Sequence, residues 1–313
     1  MSLSRRTFLT SAGLALAAAA TGCAPGQAPA VLRRSERRVL QSFAGMPTTD
    51  GAGVRLLRII GQPALRHLDP FLLLDRFHSD DPDAYIRGFP DHPHRGFETV
   101  TIMRAGRMRH ADSRGNRGVI EGGGVQWMTA GRGIVHSEMP EQQEGLLSGF
   151  QLWVNLPARE KMCAPAYQDL EPGRIARGAL GASRIEVAAG AIDGLVGPVE
   201  KRPTRPLLAY VSLEDDQPVR LELPEHHTAF VYVAEGEVEV GPGRDQVVEG
   251  RLGLLGPGHR LTVRAPSRRT EVLVAAAMPL REPIVQRGPF VMNTEEEIRQ
   301  AFLDYRAGRL GRD

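Results

Sequence analysis

Two short stretches of the sequence each place a second metal-binding residue two positions after a histidine. His92 and His94 lie in DHPHRGFETV, and His136 and Glu138 lie in GIVHSEMP. Residues two positions apart in a β-strand point to the same face of the sheet, so each pair can present its side chains together. If the two strands are neighbours in one barrel, three imidazoles and one carboxylate converge at one point. A shared metal ion satisfies such a group more simply than four separate partners.

A second carboxylate competes with Glu138 for the place of the fourth ligand. Glu98 follows His94 by an even spacing, but Gly96 lies between them and can break the regularity of the strand. The parity of the spacing therefore does not decide between the two carboxylates. Pro93 lacks a backbone N–H, which predicts that the segment with the two histidines lies at a sheet edge or at the start of a strand.

The predicted ligands are nitrogen and oxygen donors, with no thiolate among them. Such a set disfavours Cu(I) and iron–sulfur clusters and suits Fe(II), Mn, Ni, Cu(II) or Zn. Four protein ligands in an octahedral arrangement would leave two positions that a chelating substrate or dioxygen could fill. The donor set therefore predicts a site with room for a reaction as well as for a metal.

The elements that must position these residues are predicted to be strands, with one helix at the end. FQLWVNL alternates apolar and polar or aromatic residues, and TAFVYVAEGEVEVG holds two alternating runs that meet at Glu235 and Gly236 in a hairpin. Thr294 and Glu297 have the spacing of a helix capping box, and Gly308 is a plausible helix end. The predicted fold class is all-β with a C-terminal helix.

A weak internal repeat predicts two barrel halves of similar topology. TIMRAGRMRH and VYVAEGEVEV superpose when Gly106 is set against Gly236. The boundary between the halves is expected near residues 160–180, where the alternation is lost and prolines appear. Counting from Gly236 puts Glu222 and Pro224 in the places of the two paired histidines, so the second half is predicted to hold no metal.

Composition bounds the class of protein. The 313 residues carry 39 Lys and Arg against 37 Asp and Glu, a formal net charge of +2, which gives no electrostatic footprint for nucleic acid. The two cysteines, Cys23 and Cys163, exclude a disulfide framework. Neither observation argues for a partner other than a small molecule, and we expect a monomer.

Residues 1–23 predict an export signal. Arg5 and Arg6 followed by an apolar run resemble a twin-arginine (Tat-type) signal, and the run is too short to span a bilayer. Cys23 follows two small residues as in a lipoprotein cleavage site, so lipidation and cleavage with release both remain open. Residues 24–38 are predicted to form a tether. We expect a bacterial protein that is periplasmic or lipid-anchored in the envelope, with membrane contact only through the signal or the lipid.

Six segments of the chain resemble the pirin family of the cupin superfamily, over roughly residues 39 to 310. The segments are LDPFLLLDRF, HPHRGFETVTIM, HADSRGNRGVI, GVQWMTAGRGIVHSEMP, LWVNLP and EPIVQRGPFVMNT. The resemblance implies a bicupin of two tandem β-sandwich barrels. It implies a metal-binding cupin domain at 39–165, a cupin domain without metal at 166–285, and a C-terminal segment with a helix at 286–313. The family's iron ligands fall on His92, His94, His136 and Glu138.

The same resemblance implies an activity. Pirins are similar to quercetin dioxygenases, which implies an Fe(II)-dependent dioxygenase that acts with dioxygen on quercetin or a related flavonol-like aromatic. Glu138 is then expected to act as the catalytic base as well as a ligand. Mn, Ni, Cu or Zn are the alternatives to iron. Two other functions stay open: an exported, redox-responsive, metal-containing binding protein without turnover, and a cupin whose metal is only structural.

Overall fold

The computed structural model describes residues 35–267 and 269–312. The predicted signal, Cys23 and most of the predicted tether lie outside the described residues. Within that part, the chain forms 26 strands, three short 3-10 turns and one α-helix, which confirms the all-β class. No helix in this part of the chain has the length and apolar character needed to cross a membrane.

The strands, in chain order, are β1 (Val39–Ala44), β2 (Met46–Asp50), β3 (Val54–Ile60), β4 (Phe71–Ser79), β5 (Phe89–His94), β6 (Phe97–Ala105), β7 (Arg107–Asp112), β8 (Arg117–Glu121), β9 (Val125–Thr129), β10 (Ile134–Pro140), β11 (Leu147–Asn155), β12 (Ala166–Leu170), β13 (Ala176–Leu180), β14 (Ser183–Ala189), β15 (Ala191–Ile192), β16 (Leu195–Val196), β17 (Leu207–Leu213), β18 (Val219–Glu222), β19 (Thr228–Glu235), β20 (Glu237–Val240), β21 (Asp245–Val248), β22 (Arg251–Leu255), β23 (Arg260–Arg264), β24 (Thr270–Ala277), β25 (Val285–Arg287) and β26 (Phe290–Met292). The helix is α1 (Glu295–Arg306). The 3-10 turns are Pro82–Ala84, Ala158–Glu160 and Pro172–Arg174.

Each barrel consists of one seven-stranded sheet and one four-stranded sheet. In the first barrel the strand orders are β12-β9-β6-β11-β4-β3-β2 and β5-β10-β7-β8. In the second they are β1-β22-β19-β24-β17-β14-β13 and β18-β23-β20-β21. The described pairings within these four sheets are antiparallel, which lets one face of a sheet line the inside of a barrel and the other face pack elsewhere.

The two seven-stranded sheets pack against each other and share one apolar core. Phe71 of the first barrel meets Phe230 of the second edge to face, with ring centroids 5.1 Å apart, and Phe150 meets Tyr232 at 5.7 Å. Along β11 the apolar residues of the predicted alternation, Leu152 among them, face this core, while the intervening residues face the inside of the first barrel. The alternation predicted from FQLWVNL is therefore confirmed. One face of β11 packs in the core between the barrels, and the other face lines the inside of the first barrel.

The internal repeat is confirmed at its glycines. Gly106 joins β6 to β7 with a φ of 82°, and Gly236 joins β19 to β20 with a φ of 83°. Both values lie in the left-handed region, where a side chain is strained. A Cβ on Gly106 would also collide with the side chain of Gln142. The two halves thus turn at the same point for the same steric reason.

The predicted domain boundaries are wrong at two places, because each barrel contains one strand from the part of the chain that was predicted to form the other barrel. β1, predicted to begin the first domain, pairs with β22 of the second barrel. β12, predicted to begin the second domain, pairs with β9 of the first. Local alternation cannot report which partner a strand chooses, because pairing is a long-range contact. The chain passes to the second barrel after Leu170, inside the predicted interval of 160–180.

The end of the predicted tether is also wrong, because Arg37 is fully buried in the second barrel. Its guanidinium donates hydrogen bonds to the backbone carbonyls of Pro224 at 2.6 Å and Gly256 at 2.8 Å. It also donates to the carbonyls of Glu225 and His227, in the loop that contains Pro224. A guanidinium with five donors can satisfy a cluster of carbonyls that strand pairing leaves free. Residues 35–38 therefore belong to the fold.

The C-terminal segment returns to the first barrel. Phe290 of β26 forms a parallel bridge with Arg95, directly after the HPH segment, and the backbone N–H of Val291 donates to the carbonyl of Arg95 at 3.0 Å. The side chain of Arg95 donates to Asp304 of α1 at 2.8 Å. The predicted capping box of α1 is confirmed, since the Thr294 hydroxyl accepts from the N–H of Glu297 at 3.2 Å.

Lys161 joins three parts of this region by one buried ammonium group. The residue is 1% exposed, and its Nζ donates to the carbonyls of Gly96 at 2.8 Å and Val291 at 3.0 Å and to Oδ1 of Asn155 at 2.6 Å. Three acceptors that are buried together cost free energy when their shared donor is removed. Lys161 therefore holds the C-terminal segment against the loop that follows His94.

We expect Lys161→Met to lower the free energy of unfolding by about 3 kcal/mol, because the three buried acceptors lose their donor while the apolar volume is retained. Urea denaturation followed by circular dichroism measures the change. The exposed lysine Lys201, changed to Met, is the matched control and should shift stability by about 0.5 kcal/mol or less. Equal stability of the two variants would contradict the structural role of Lys161.

The stability difference between wild type and Lys161→Met also depends on pH. Burial lowers the pKa of Lys161 from its ordinary 10.5 to about 8. Between these two values the folded chain binds fewer protons at this site than the unfolded chain, so the wild type gains stability as the pH rises. We expect the difference to grow by about 1–2 kcal/mol from pH 7.5 to pH 9.5 in parallel urea titrations.

Candidate metal centre

The histidines lie on two neighbouring strands of the four-stranded sheet in the first barrel. His92 and His94 are on β5, and His136 is on β10, directly opposite His92 in the antiparallel register. Opposed residues in an antiparallel pair point to the same face, so the three side chains share the inside of the barrel. β5 is an edge strand, which confirms the position predicted from Pro93.

The three imidazoles form one tight group. Their ring centroids are 4.7 Å apart for His92 and His94, 4.4 Å for His92 and His136, and 5.0 Å for His94 and His136. One ring nitrogen from each lies within 4.8 Å of the others, close enough for a single metal ion to bind all three. Among the described residues, these are the three that form such a group of potential ligands.

The hydrogen bonds of the rings leave nitrogens free toward the centre of the group. Nδ1 of His92 donates to the carbonyl of Pro90 at 2.9 Å, and Nδ1 of His94 lies 3.4 Å from the carbonyl of Pro289. Nε2 of His94 and both nitrogens of His136 are buried and have no partner among the described residues. Carbonyls that fix one ring nitrogen present the other to a metal. The residues therefore fit a metal ion.

Burial sets the protonation of the two inner histidines. Desolvation lowers the pKa of His94 and of His136 well below the ordinary value, and the neighbouring imidazoles lower it further. Both rings are consequently neutral at pH 7, which is the form that binds a metal. The ring of His94 is also packed edge-on against Phe97, with centroids 5.0 Å apart, and Trp153, at 5.1 Å, so its orientation is fixed.

Glu138 is buried beside the histidines, but its carboxylate is outside the group of three. Its Oε1 accepts from the Thr101 hydroxyl at 2.9 Å, and its Oε2 accepts from Nε2 of Gln151 at 3.0 Å. These donors come from the facing seven-stranded sheet and hold the carboxylate across the barrel. The structure thus brings together three of the four predicted ligands, and Glu138 as the fourth stays a prediction.

Glu98 points away from the histidines. On β6 it shares a face with Val100 and Ile102, which point into the core between the barrels. Thr101 is on the opposite face and points into the first barrel. Its Oε1 accepts from the Thr129 hydroxyl at 2.7 Å and lies 3.9 Å from Nε of Arg202. Desolvation raises the pKa of Glu98. The open choice between the two carboxylates is therefore decided against Glu98 by the face of the strand.

The structure contains a row of polar side chains that the sequence did not predict. They cross the inner face of the seven-stranded sheet of the first barrel, each directly opposite the next on an adjacent strand: Arg58, Asp75, Gln151, Thr101, Gln126 and Asp169. The available signal was a single polar residue after apolar ones, as for Asp75 in FLLLD and Thr101 in TVTIM. Only the register of the strands turns these separate residues into one row, with Glu138 held above its middle.

A cavity of about 630 Å³ opens beside the histidines within the first barrel. Its lining includes His92, His94 and Glu138 on one side and apolar and aromatic side chains on the others, among them Leu73, Phe77, Phe89, Met108 and Trp153. Its size lies within the range of pockets that enclose small organic molecules. The second barrel is different, because valine and leucine side chains fill the space between its sheets. Counting forward from Gly236 as His136 and Glu138 lie from Gly106 gives Pro266 and Arg268 as their counterparts, and Arg268 lies outside the described residues.

The chain is similar in sequence to two family models over most of its described length. Residues 53–154 match the model described as Pirin, and residues 208–311 match the model described as the Pirin C-terminal cupin domain. The two matches cover one barrel each, with the site in the first.

Known proteins show the same similarity along nearly their whole length. A protein of Pseudomonas aeruginosa, named provisionally as a quercetin 2,3-dioxygenase, is 49% identical over 280 residues, which cover 88% of this chain and 98% of that protein. A pirin-like protein of Caulobacter vibrioides is 47% identical, with coverage of 87% and 99%. The crystal structure of a quercetin 2,3-dioxygenase from Acinetobacter baumannii has a TM-score of 0.82 and 35% identity, with coverage of 88% and 99%.

Three single substitutions should separate the ligands from their neighbours. We expect His136→Ala to hold less than about a tenth of the metal of the wild type after dialysis, and Glu138→Gln to bind metal about 10–100-fold more weakly, because each loses a donor near the metal. Glu98→Gln, which changes a buried carboxylate on the other face of β6, should keep full metal content. Elemental analysis by mass spectrometry measures all three. Loss of metal from Glu98→Gln with full retention in Glu138→Gln would reverse the assignment.

Proposed function

The chain belongs to the pirin family of the cupin superfamily, and from this premise we propose that it is a metal-dependent dioxygenase acting on a flavonol-like aromatic compound. The single observation that carries the proposal is the group of three histidines beside a cavity of about 630 Å³, because two of them, His94 and His136, are buried with ring nitrogens that have no partner among the described residues. The provisional name of the Pseudomonas relative and the Acinetobacter quercetin 2,3-dioxygenase structure support the substrate class.

The lining of the cavity supports an aromatic substrate. Trp153 and Phe77 offer aromatic faces and edges, and Leu73 and Met108 add apolar surface. Aromatic rings that pack against such walls bury apolar area at each face, and Met adapts its shape to the ring. The polar atoms of the cavity are concentrated at the histidines, at Glu138 and along the polar row. A substrate with an apolar body and a few polar groups matches this distribution.

We propose Fe(II) as the metal, with Mn, Ni, Cu or Zn as the alternatives that the nitrogen and oxygen donors also suit. His92, His94 and His136 would hold it, with Glu138 as the fourth donor. Iron, when bound, supplies a Lewis acid that lowers the pKa of a chelating hydroxyl group and a redox partner for dioxygen.

Glu138 is proposed to move the proton. A flavonol that chelates through its 3-hydroxyl brings that group to the carboxylate, which accepts the hydroxyl proton as general base. The Thr101 hydroxyl and the Gln151 amide, which donate to the two oxygens of Glu138, fix the direction in which the carboxylate points. The apolar walls would keep bulk water from the deprotonated ring.

Oxygen uptake with quercetin tests the proposed activity. We expect the Fe(II)-loaded wild type to consume dioxygen together with quercetin. Glu138→Gln should be about 100-fold slower or more per bound metal, because the base is lost. Glu98→Gln is the control and should keep wild-type turnover. Absence of uptake with each of Fe, Mn, Ni, Cu and Zn would contradict the proposal and favour a metal-containing binding protein without turnover.

We also propose that the chain is exported and ends in the periplasm or as a lipid-anchored protein of the cell envelope. The proposal is supported by Arg5 and Arg6, the apolar run after them, and Cys23. Fractionation of cells that express a tagged chain should recover the wild type from the envelope or periplasm. The double substitution Arg5→Lys, Arg6→Lys should leave the protein in the cytoplasm, and Cys23→Ser should release a lipid-anchored form into the soluble fraction. A cytoplasmic wild type would contradict export.

A further inference from the structure

A charged trio lines the same cavity as the histidines, at the end of the polar row. Asp75 is one strand beyond Gln151, and Arg58 is two strands beyond it. Asp50 ends β2 opposite Val54, and the side chain of Arg58 reaches its carboxylate. Adjacent strands are about 5 Å apart, so Arg58 lies roughly 10 Å along the sheet from the residue that holds Glu138. A substrate of two linked aromatic rings that chelates at the histidines therefore brings its remote ring to these three side chains.

The trio carries one cation and two carboxylates. Nε and Nη2 of Arg58 donate to the two oxygens of Asp75 at 2.9 and 2.7 Å, and Nη2 also donates to Asp50 at 2.6 Å. Nη1 of Arg58 has no hydrogen-bond partner among the described residues. Each carboxylate has about four acceptor positions, and its donors here leave some of them unused. The trio thus presents spare acceptors and a spare donor to the cavity.

This combination selects one kind of ligand group. A carboxylate or phosphate on the ligand would face two acids against one arginine and be repelled. An unsubstituted ring would cover the spare polar atoms without replacing their hydrogen bonds to water, which costs free energy. A hydroxyl group donates to a carboxylate and accepts from a guanidinium at once, so it satisfies both kinds of atom.

The raised pKa of Asp75 is consistent with a carboxylate that can accept a further hydrogen bond from a ligand hydroxyl. Its side chain is 4% exposed, and burial raises its pKa to about 6 in spite of the two hydrogen bonds from Arg58. A carboxylate in this state has fewer donors around it than its charge requires. A hydroxyl group from a ligand would supply one.

We propose that Asp50, Arg58 and Asp75 form the subsite that recognises hydroxyl groups on the ring of the substrate remote from the metal. The substrate class is then an aromatic compound of two linked ring systems, with a chelating hydroxyl on one and at least one further hydroxyl on the other. This inference rests on the proposed function for the identity of the chelating end, whereas the recognition at the remote end belongs to the trio.

Three flavonols with the same chelating end test the subsite directly. Quercetin, kaempferol and galangin carry two, one and no hydroxyl groups on the remote ring, and their dissociation constants for the metal-loaded protein can be measured by quenching of tryptophan fluorescence. We expect quercetin to bind the wild type about 10–100-fold more tightly than galangin, with kaempferol between them, since each hydrogen bond to a charged group is worth one to two decades at most.

Two variants remove the preference by different routes. Asp50→Asn keeps the shape of a half-exposed side chain and should reduce the ratio between galangin and quercetin several-fold. The double substitution Arg58→Met, Asp75→Leu replaces the pair by apolar groups, so no buried charge is left unpaired, and should bring the ratio to within about 3-fold. Asp216→Asn is the matched control, since Asp216 pairs with Arg264 on the second barrel at 3.3 Å and should leave the ratio unchanged.

The outcomes separate this inference from the proposed activity. A preference for quercetin in the wild type that falls several-fold in Asp50→Asn and to within about 3-fold in the double variant supports the subsite. It does so even if no flavonol is consumed, in which case only the dioxygenase proposal fails. Equal dissociation constants for the three flavonols in the wild type, or no binding of any of them, overturn the subsite even if oxygen uptake occurs. A preference that survives in both variants overturns it as well.

Discussion

The antiparallel pairing of β5 with β10 is the contact on which the rest of the site depends. It sets His136 opposite His92 and places the buried rings of His94 and His136 beside the half-buried ring of His92. Burial keeps the rings of His94 and His136 neutral. Carbonyls beside Nδ1 of His92 and of His94 leave Nε2 of these two rings for the centre. Nε2 of His94 and both ring nitrogens of His136 have no partner among the described residues, so a metal at the centre would satisfy polar atoms that the protein leaves unpaired.

The seven-stranded sheet of the first barrel, which faces the histidines, also positions groups of the site. Its polar row supplies the donors that hold Glu138 at one point and the Asp50–Arg58–Asp75 trio farther along. The same strands turn their other faces to the core between the barrels, where Phe71 and Phe150 meet aromatic residues of the second barrel. The site is thus precise because its floor is one side of a sheet whose other side is packed and rigid.

The second barrel supports the metal centre of the first barrel from outside it. Its interior is filled by aliphatic side chains, and its main contact with the first barrel is the shared apolar core. The segment that follows it crosses back, where Pro289 approaches His94 and Val291 meets Lys161 and Arg95. β5 is an edge strand with a proline in it, so it depends on such contacts for its position. The C-terminal segment provides them.

The sequence by itself determined whatever depends on short spacings. The two-residue spacing of His92 and His94, the matching glycines Gly106 and Gly236, the edge position of Pro93 and the cap of α1 all follow from the period of a strand or the first turn of a helix. The tertiary structure alone decided that Glu98 faces the second barrel and that six separate polar residues form one row. It also decided that β1 joins the second barrel and β12 the first. Those facts depend on which distant strands pair and in what register, and no local period encodes a long-range partner.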